Sequence, residues 1–160
     1  SVVKYGQWQT AVAAYLACVH FVDAQVGRLL DALDADLTGH DLSMADYEIL
    51  AQLSDAPDRR MRMSELADEA MLSRSRLSHR MKVMEKSGWV RREACPEDKR
   101  GSFAVMTDKG WRAIVKAAPD HVASVRNRFV DNLTSKDQEE LAKIFDRVTT
   151  KLRDEFRNDL

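Results

Sequence analysis

With 160 residues, 44% hydrophobic and 32% charged, the chain is long enough for one domain with its own core and too short for several. The longest apolar run, Ala11 to Val19, falls short of the roughly 18 residues a bilayer span needs, and no basic-plus-apolar leader opens the sequence, so the expectation is no membrane and a cytoplasmic location. The net charge of −1 hides an asymmetry: eleven Lys/Arg against five Asp/Glu put the stretch from Leu72 to Arg112 at +6 and the remainder at −7.

A first helix is predicted from about Gln7 to Ala35. Its seam is Trp8, Val12, Tyr15, Val19, Val22, Val26, Leu29 and Leu33, spaced alternately four and three residues apart, which a short domain has trouble covering by itself. Thr38 to Asp41 breaks the pattern. Ser43 opens a second helix, with Asp46 as its capping-box partner and Tyr47, Leu50 and Leu53 on its buried face, and Asp55 to Asp58 stops it. Arg60 to Met63 reads as a minimal strand. Ser64 is the expected cap of a third helix, Glu65 to Ala70, and Ser73 or Ser75 that of a fourth, which ends at Gly88. Trp89 to Glu93 and Ser102 to Met106 alternate as strands about the polar connection Pro96 to Gly101. Thr107 or Asp108 caps a fifth helix, expected to bend or break near Pro119. Leu133 to Asp137 caps a last helix with a stripe of Leu141, Ile144, Phe145, Val148, Leu152 and Phe156.

The predicted order is ααβααββαα: a mainly α fold with a small β-wing, one domain over residues 1–160. A basic helix, a glycine stop, a strand, a charged tip, a strand and a further helix are the order of a winged helix-turn-helix, with one helix in the DNA major groove and a hairpin beside it. If Leu77, Met81 and Met84 of the fourth helix face the core, Ser75, His79, Lys82 and Lys86 point away. Ser73, Arg74, Ser75, Arg76, Ser78, His79, Arg80 and Lys82 then supply the hydroxyls and guanidinium donors that base edges and phosphates require. In isolation they would be a solvated basic face; followed by Gly88 and a basic hairpin they point to DNA. At the hairpin tip Asp98 can orient Arg100 toward a minor groove, with Gly101 closing the tip, although alone the pair is a surface ion pair of little worth. Arg91, Arg92 and Lys99 are candidate phosphate contacts.

The string GWVRREACPEDKRGSFAVMTDKG, Gly88 to Gly110, resembles the wing signature of the MarR family of dimeric winged-helix regulators, a D-x-R at the wing tip followed by L-T-x-x-G. Ser64 to Gly88 looks like that family's helix-turn-helix and Leu42 to Leu53 like its second helix. The resemblance covers the whole chain in order, with Met106 in place of the usual Leu and His79 where members often carry Arg. It implies a winged helix-turn-helix lobe over residues 42–112 and a dimerisation lobe from helices in 7–36 and 119–157 of two copies. It further implies a homodimer on a pseudo-palindromic double-stranded DNA operator, acting as a repressor released by a small-molecule effector.

In such relatives a small aromatic or phenolic effector binds between the lobes; Trp8, Tyr15, His20, Tyr47 and Trp111 are the candidate pocket residues, each also readable as core. Three alternatives stand beside this. Cys18 offers a redox switch, but with Leu16, Val19 and Phe21 around it and no cationic neighbour in sequence a buried inert thiol is expected; Cys95 is expected to be the more exposed. Metal sensing would draw on His20 with Asp23, His40 and His121, which have no recognisable ligand spacing, so neither a metal site nor any other cofactor is expected. A dimerisation protein that does not bind DNA would be marked by neutral wing residues, whereas Arg100 is present. No GxSxG, GxxxxGK[ST] or HExxH motif suggests an enzyme.

Overall fold

The computed structural model describes residues 2–95 and 101–158, with side chains described over 8–95 and 101–151. Its element order is the predicted one: α1 (Val2–Thr38), α2 (Met44–Asp55), β1 (Arg60–Arg62), α3 (Met63–Glu69), α4 (Arg74–Lys86), β2 (Val90–Ala94), β3 (Ser102–Met106), α5 (Asp108–Arg128) and α6 (Ser135–Asn158). Short 3₁₀ turns at Pro57–Arg59 and Val130–Asn132 precede β1 and α6.

Local chemistry sets most boundaries. Ser43 and Asp46 form the reciprocal capping box of α2. Ser73 Oγ accepts from Arg76 N and thereby starts α4, while Thr107 Oγ1 does the same for Gly110 N at the start of α5. Gly88 ends α4 with φ +73°, where a side chain would be strained, and Trp89 N reaches back to Met84 O at 3.0 Å. Two expectations fail. Arg62, not Ser64, is the N-cap of α3, without a side-chain cap bond, because the chain turns into the helix directly from its pairing with β3. Nor does Pro119 end a helix: α5 runs from Asp108 to Arg128 with the proline inside. The cost of one missing donor is offset by bonds holding that segment to α1 and to the turn that follows it, from Ser124 to Asp36 and from His40 to Asp120.

The three strands form an antiparallel sheet in the order β1–β3–β2, with Arg60 opposite Val105 and Val90 opposite Met106. Leu37, Leu42, Ile49, Leu50, Leu53, Leu66, Leu77, Met81 and Met84 are fully buried and join α2, α3, α4 and the sheet into one core. Thr107 Oγ1 donates to Gly88 O at 2.7 Å and Gly110 packs on the Trp89 carbonyl, so the wing root is clasped to α5. A Cβ on Gly110 would lie 2.2 Å from that oxygen. Gly110→Ala is therefore expected to cost about 2–4 kcal/mol in urea unfolding; a loss below about 0.5 kcal/mol would show that the backbone simply relaxes.

The first helix behaves differently. Of its predicted seam only Leu33 is buried, while Trp8, Tyr15, Val19, Val22 and Val26 are exposed, as are Ile144, Phe145 and Val148 of α6. The side chains of Leu152 and Phe156 lie outside those described. By length and composition Trp8–Thr38 also passes for a bilayer span, because an 18-residue window within it is apolar enough and none of that window is buried, where no such segment was expected. Isolated apolar runs understate a helix whose charges are merely sparse.

Candidate nucleic-acid interface

Leu77, Met81 and Met84 hold α4 to the core, and Ser73, Arg74, Ser75, Arg76, His79 and Lys82 are exposed, as the helical spacing predicted. Arg74 and Ser78 stand on the flank nearest the wing. There they line a polar groove of about 440 Å³ together with Arg62, Met63, Ser64, Arg92, Gly101 and Ser102. Three arginines, Arg62, Arg74 and Arg92, thus border one open polar groove. Arg62 and Ser64 were not among the sequence candidates. Their signal, an arginine at the cap and a serine in the first turn of α3, is too short to stand out without the fold that brings them to the same groove as Arg74.

Three predicted contacts have other partners. Arg80 turns inward: its Nε donates to Asp46 Oδ1 at 2.7 Å and its Nη2 to Asp46 and Ser43. At about 100° per residue it sits only about 60° from the core-facing line, so its long stem reaches the core edge. Arg92 Nη2 donates to Ser78 O at 2.8 Å, and its Nε lies 3.8 Å from Glu85, so this side chain braces the wing against α4. Arg91 pairs with Glu93 at 2.7 Å and remains half exposed. Asp98, Lys99 and Arg100 lie outside the described residues, while Gly101 closes the hairpin through its carbonyl and Cys95 N at 3.1 Å.

The aromatic candidates do not meet in one protomer. Trp8, Tyr15 and His20 stand on the uncovered part of α1, Tyr47 packs on the His121 ring at 4.3 Å, and the Trp111 ring lies 4.0 Å beneath the Arg59 guanidinium. Among the described residues of a single chain these five side chains therefore do not converge, because α1 projects beyond the core against which Tyr47 packs. Both cysteine expectations are reversed as well. Cys18 is exposed on α1, and Cys95 is buried beneath the wing root with Arg62 Nη2 3.4 Å from its Sγ. Among the described residues no group of three or more His, Cys, Asp or Glu gathers in a way that would hold a metal.

Where α1 meets α5, Asp36 accepts from Arg128 and Ser124, and these bonds hold its carboxyl below the usual carboxylate range. Burial pushes the His121 imidazole down against a weaker upward pull from Asp36. A histidine whose folded pKa is depressed leaves the native state short of a proton that the unfolded chain binds, so stability falls as pH drops below about 6.5. Asp36 acts at a lower range: its contribution is present above its unfolded value of 3.8 and is lost as pH falls through the lower folded one. Melting temperature is expected to decline between pH 7 and 5, and to decline less in His121→Gln; parallel slopes for the two proteins would remove His121 as the cause.

A core-anchored helix with an exposed cationic face, beside a hairpin and an arginine-lined groove, defines a winged helix-turn-helix DNA-binding protein. The family model described as the MarR family matches residues 40–101. The fold is similar to AbsC, a MarR family transcriptional regulator from Streptomyces coelicolor, with 46% identity, TM-score 0.80, and coverage of 86% of this chain and 93% of that one. It is also similar to Sco3205 from the same organism, a MarR family regulator solved in complex with DNA, at 42% identity, TM-score 0.79 and 84% coverage of each chain. The regulator PecS of Dickeya dadantii is 31% identical over 107 residues, 65% of this chain and 64% of that protein's length. The chain belongs to the MarR family of winged-helix, DNA-binding transcriptional regulators. These three relatives are transcriptional regulators.

Proposed function

We propose that the chain acts in the cytoplasm as a homodimeric repressor, binding a pseudo-palindromic operator and released from it by a small-molecule effector. The carrying observation is the exposed N-terminal half of α4 beside the groove of Arg62, Arg74 and Arg92. In this reading Arg76, His79 and Lys82 meet base edges in the major groove; Arg74, Ser78 and Arg62 hold the adjoining phosphates; Arg100, with Asp98 and Lys99, enters the minor groove. The bare apolar faces of α1 and α6 are covered by a second copy, which accounts for the apolarity of α1 without a bilayer and places the half-sites about 10 bp apart. Because Trp8, Tyr15 and His20 lie on that same uncovered face, an effector pocket that includes them needs the second copy to complete it. Metal sensing has no ligand set in its favour among the described residues.

An anisotropy titration against DNA from immediately upstream of the gene, with random competitor at two salt concentrations, tests this. Saturable, competitor-resistant binding with a steep salt slope is expected. Loss of binding to competitor would leave a non-specific basic surface. In the same assay Arg74→Ala is expected to weaken binding to every sequence and to reduce the salt slope by about one. His79→Ala should instead change preference at one position of each half-site by about 1–3 kcal/mol. A uniform loss for His79→Ala would reduce it to a backbone contact.

A further inference from the structure

Asp46 is the buried charged residue among those described, 3% exposed at the N-terminus of α2. One carboxylate oxygen accepts from Ser43 N at 3.1 Å and Ser43 Oγ at 2.7 Å, closing the helix cap. The other accepts from Arg80 Nε, and Arg80 Nη2 completes a fork onto Asp46 and the cap hydroxyl. One residue further on, Met44 N donates to Asp34 Oδ1 of α1 at 2.6 Å. A continuous polar strut thus runs from the helix that faces DNA, through the start of α2, to the long helix that leads away from the DNA-binding core.

Such a strut has a mechanical consequence. Leu77, Met81 and Met84 form a narrow apolar line along α4, and an apolar line by itself resists rotation about the helix axis weakly. A rotation of about 10° moves a side chain at a radius of about 6 Å by about 1 Å, as much as a base-edge hydrogen bond tolerates. The planar guanidinium fork is directional where apolar packing is not. It stands on the flank of α4 away from Arg74 and Ser78, so the helix is held from the wing by Arg92 on one side and from α2 by Arg80 on the other.

We infer that Arg80 is a positioning residue: through Asp46, Ser43 and Asp34 it fixes the rotation of α4 relative to α1, and so determines how strictly the protein requires a particular separation between operator half-sites. The inference rests on the reading of α4 as the DNA-reading helix of a dimer. The test uses a duplex selected by the wild-type protein from a random pool, and copies of it with the half-sites moved one base pair closer or further apart. The variants are Arg80→Lys, which keeps the charge and loses the fork, and Arg80→Met combined with Asp46→Leu, which removes both partners and leaves no buried charge to unfold the protein. The double variant is expected to keep the wild-type salt slope and base preference while losing about tenfold in its discrimination between native and shifted spacing, with Arg80→Lys intermediate. A salt slope lowered by about one, or a changed base preference, would make Arg80 a direct DNA contact and overturn the inference. Unchanged spacing discrimination in both variants would overturn it too, leaving the ion pair a matter of stability alone. A wild-type protein that selects no sequence would overturn the reading of α4 itself, an outcome separate from any behaviour of the variants.

Discussion

Val19→Asp together with Val26→Asp is expected to leave a folded monomer that has lost most of its operator affinity. Both valines are about half exposed in the protomer, so neither substitution removes core packing, and far-ultraviolet circular dichroism should be unchanged. In the proposed dimer the same positions lie in an isologous interface, where each added carboxylate appears twice across the two-fold axis. Four new charges, desolvated and facing like charges, oppose an association that rests on apolar burial. Once the copies separate, the second half-site is no longer bound intramolecularly, and the expected loss is about 10²–10⁴ in affinity. Sedimentation and an operator titration on one preparation decide the matter. A dimer that survives would move the interface elsewhere, and a monomer with undiminished affinity would deny that two half-sites are read together.

Asp46→Ala is expected to cost about 3 kcal/mol, at the lower end of the cost of opening a buried ion pair. The carboxylate side chain is 5% exposed whereas Arg80 is 30% exposed, so the abandoned guanidinium recovers some hydration and the full penalty is not reached. The capping box of α2 is lost at the same time, which contributes about 1 kcal/mol of that total. For a domain of this length the melting temperature should fall by about 6–12 °C. Replacing both partners by apolar side chains should recover most of the loss, since no charge is then left unpaired. A loss near zero for Asp46→Ala would show that water already shares the pair.

The element order and every helix start governed by a side chain within three residues were readable in the sequence, because a cap bond closes on its own segment. Ser43 with Asp46, Ser73, and Thr107 with Gly110 are of this kind. Ser64 misled because α3 begins where the pairing of Arg62 with Phe103 ends, a condition set some forty residues away in the chain. A break at Pro119, one of the two outcomes expected there, is absent because the helix around it is held by bonds from α1 and the turn after it. That Trp8 and Tyr15 stand apart from Tyr47 and Trp111 within one chain was not legible for a different reason: helical spacing gives the face of a residue and not whether another element reaches it.

The sequence alone determined the winged helix-turn-helix order, the outward face of α4 and the apolar seam of α1, since each follows from helical or strand period and from charge placed within one segment. Only the tertiary structure decided that Arg80 serves Asp46 and Arg92 serves Ser78, that Cys95 is buried while Cys18 is not, and that Arg62 and Ser64 join Arg74 in one groove. A long side chain near the edge of a buried stripe reaches either solvent or core, and the choice falls to whichever partner a distant element presents. That partner is fixed by packing between segments, which no local pattern encodes.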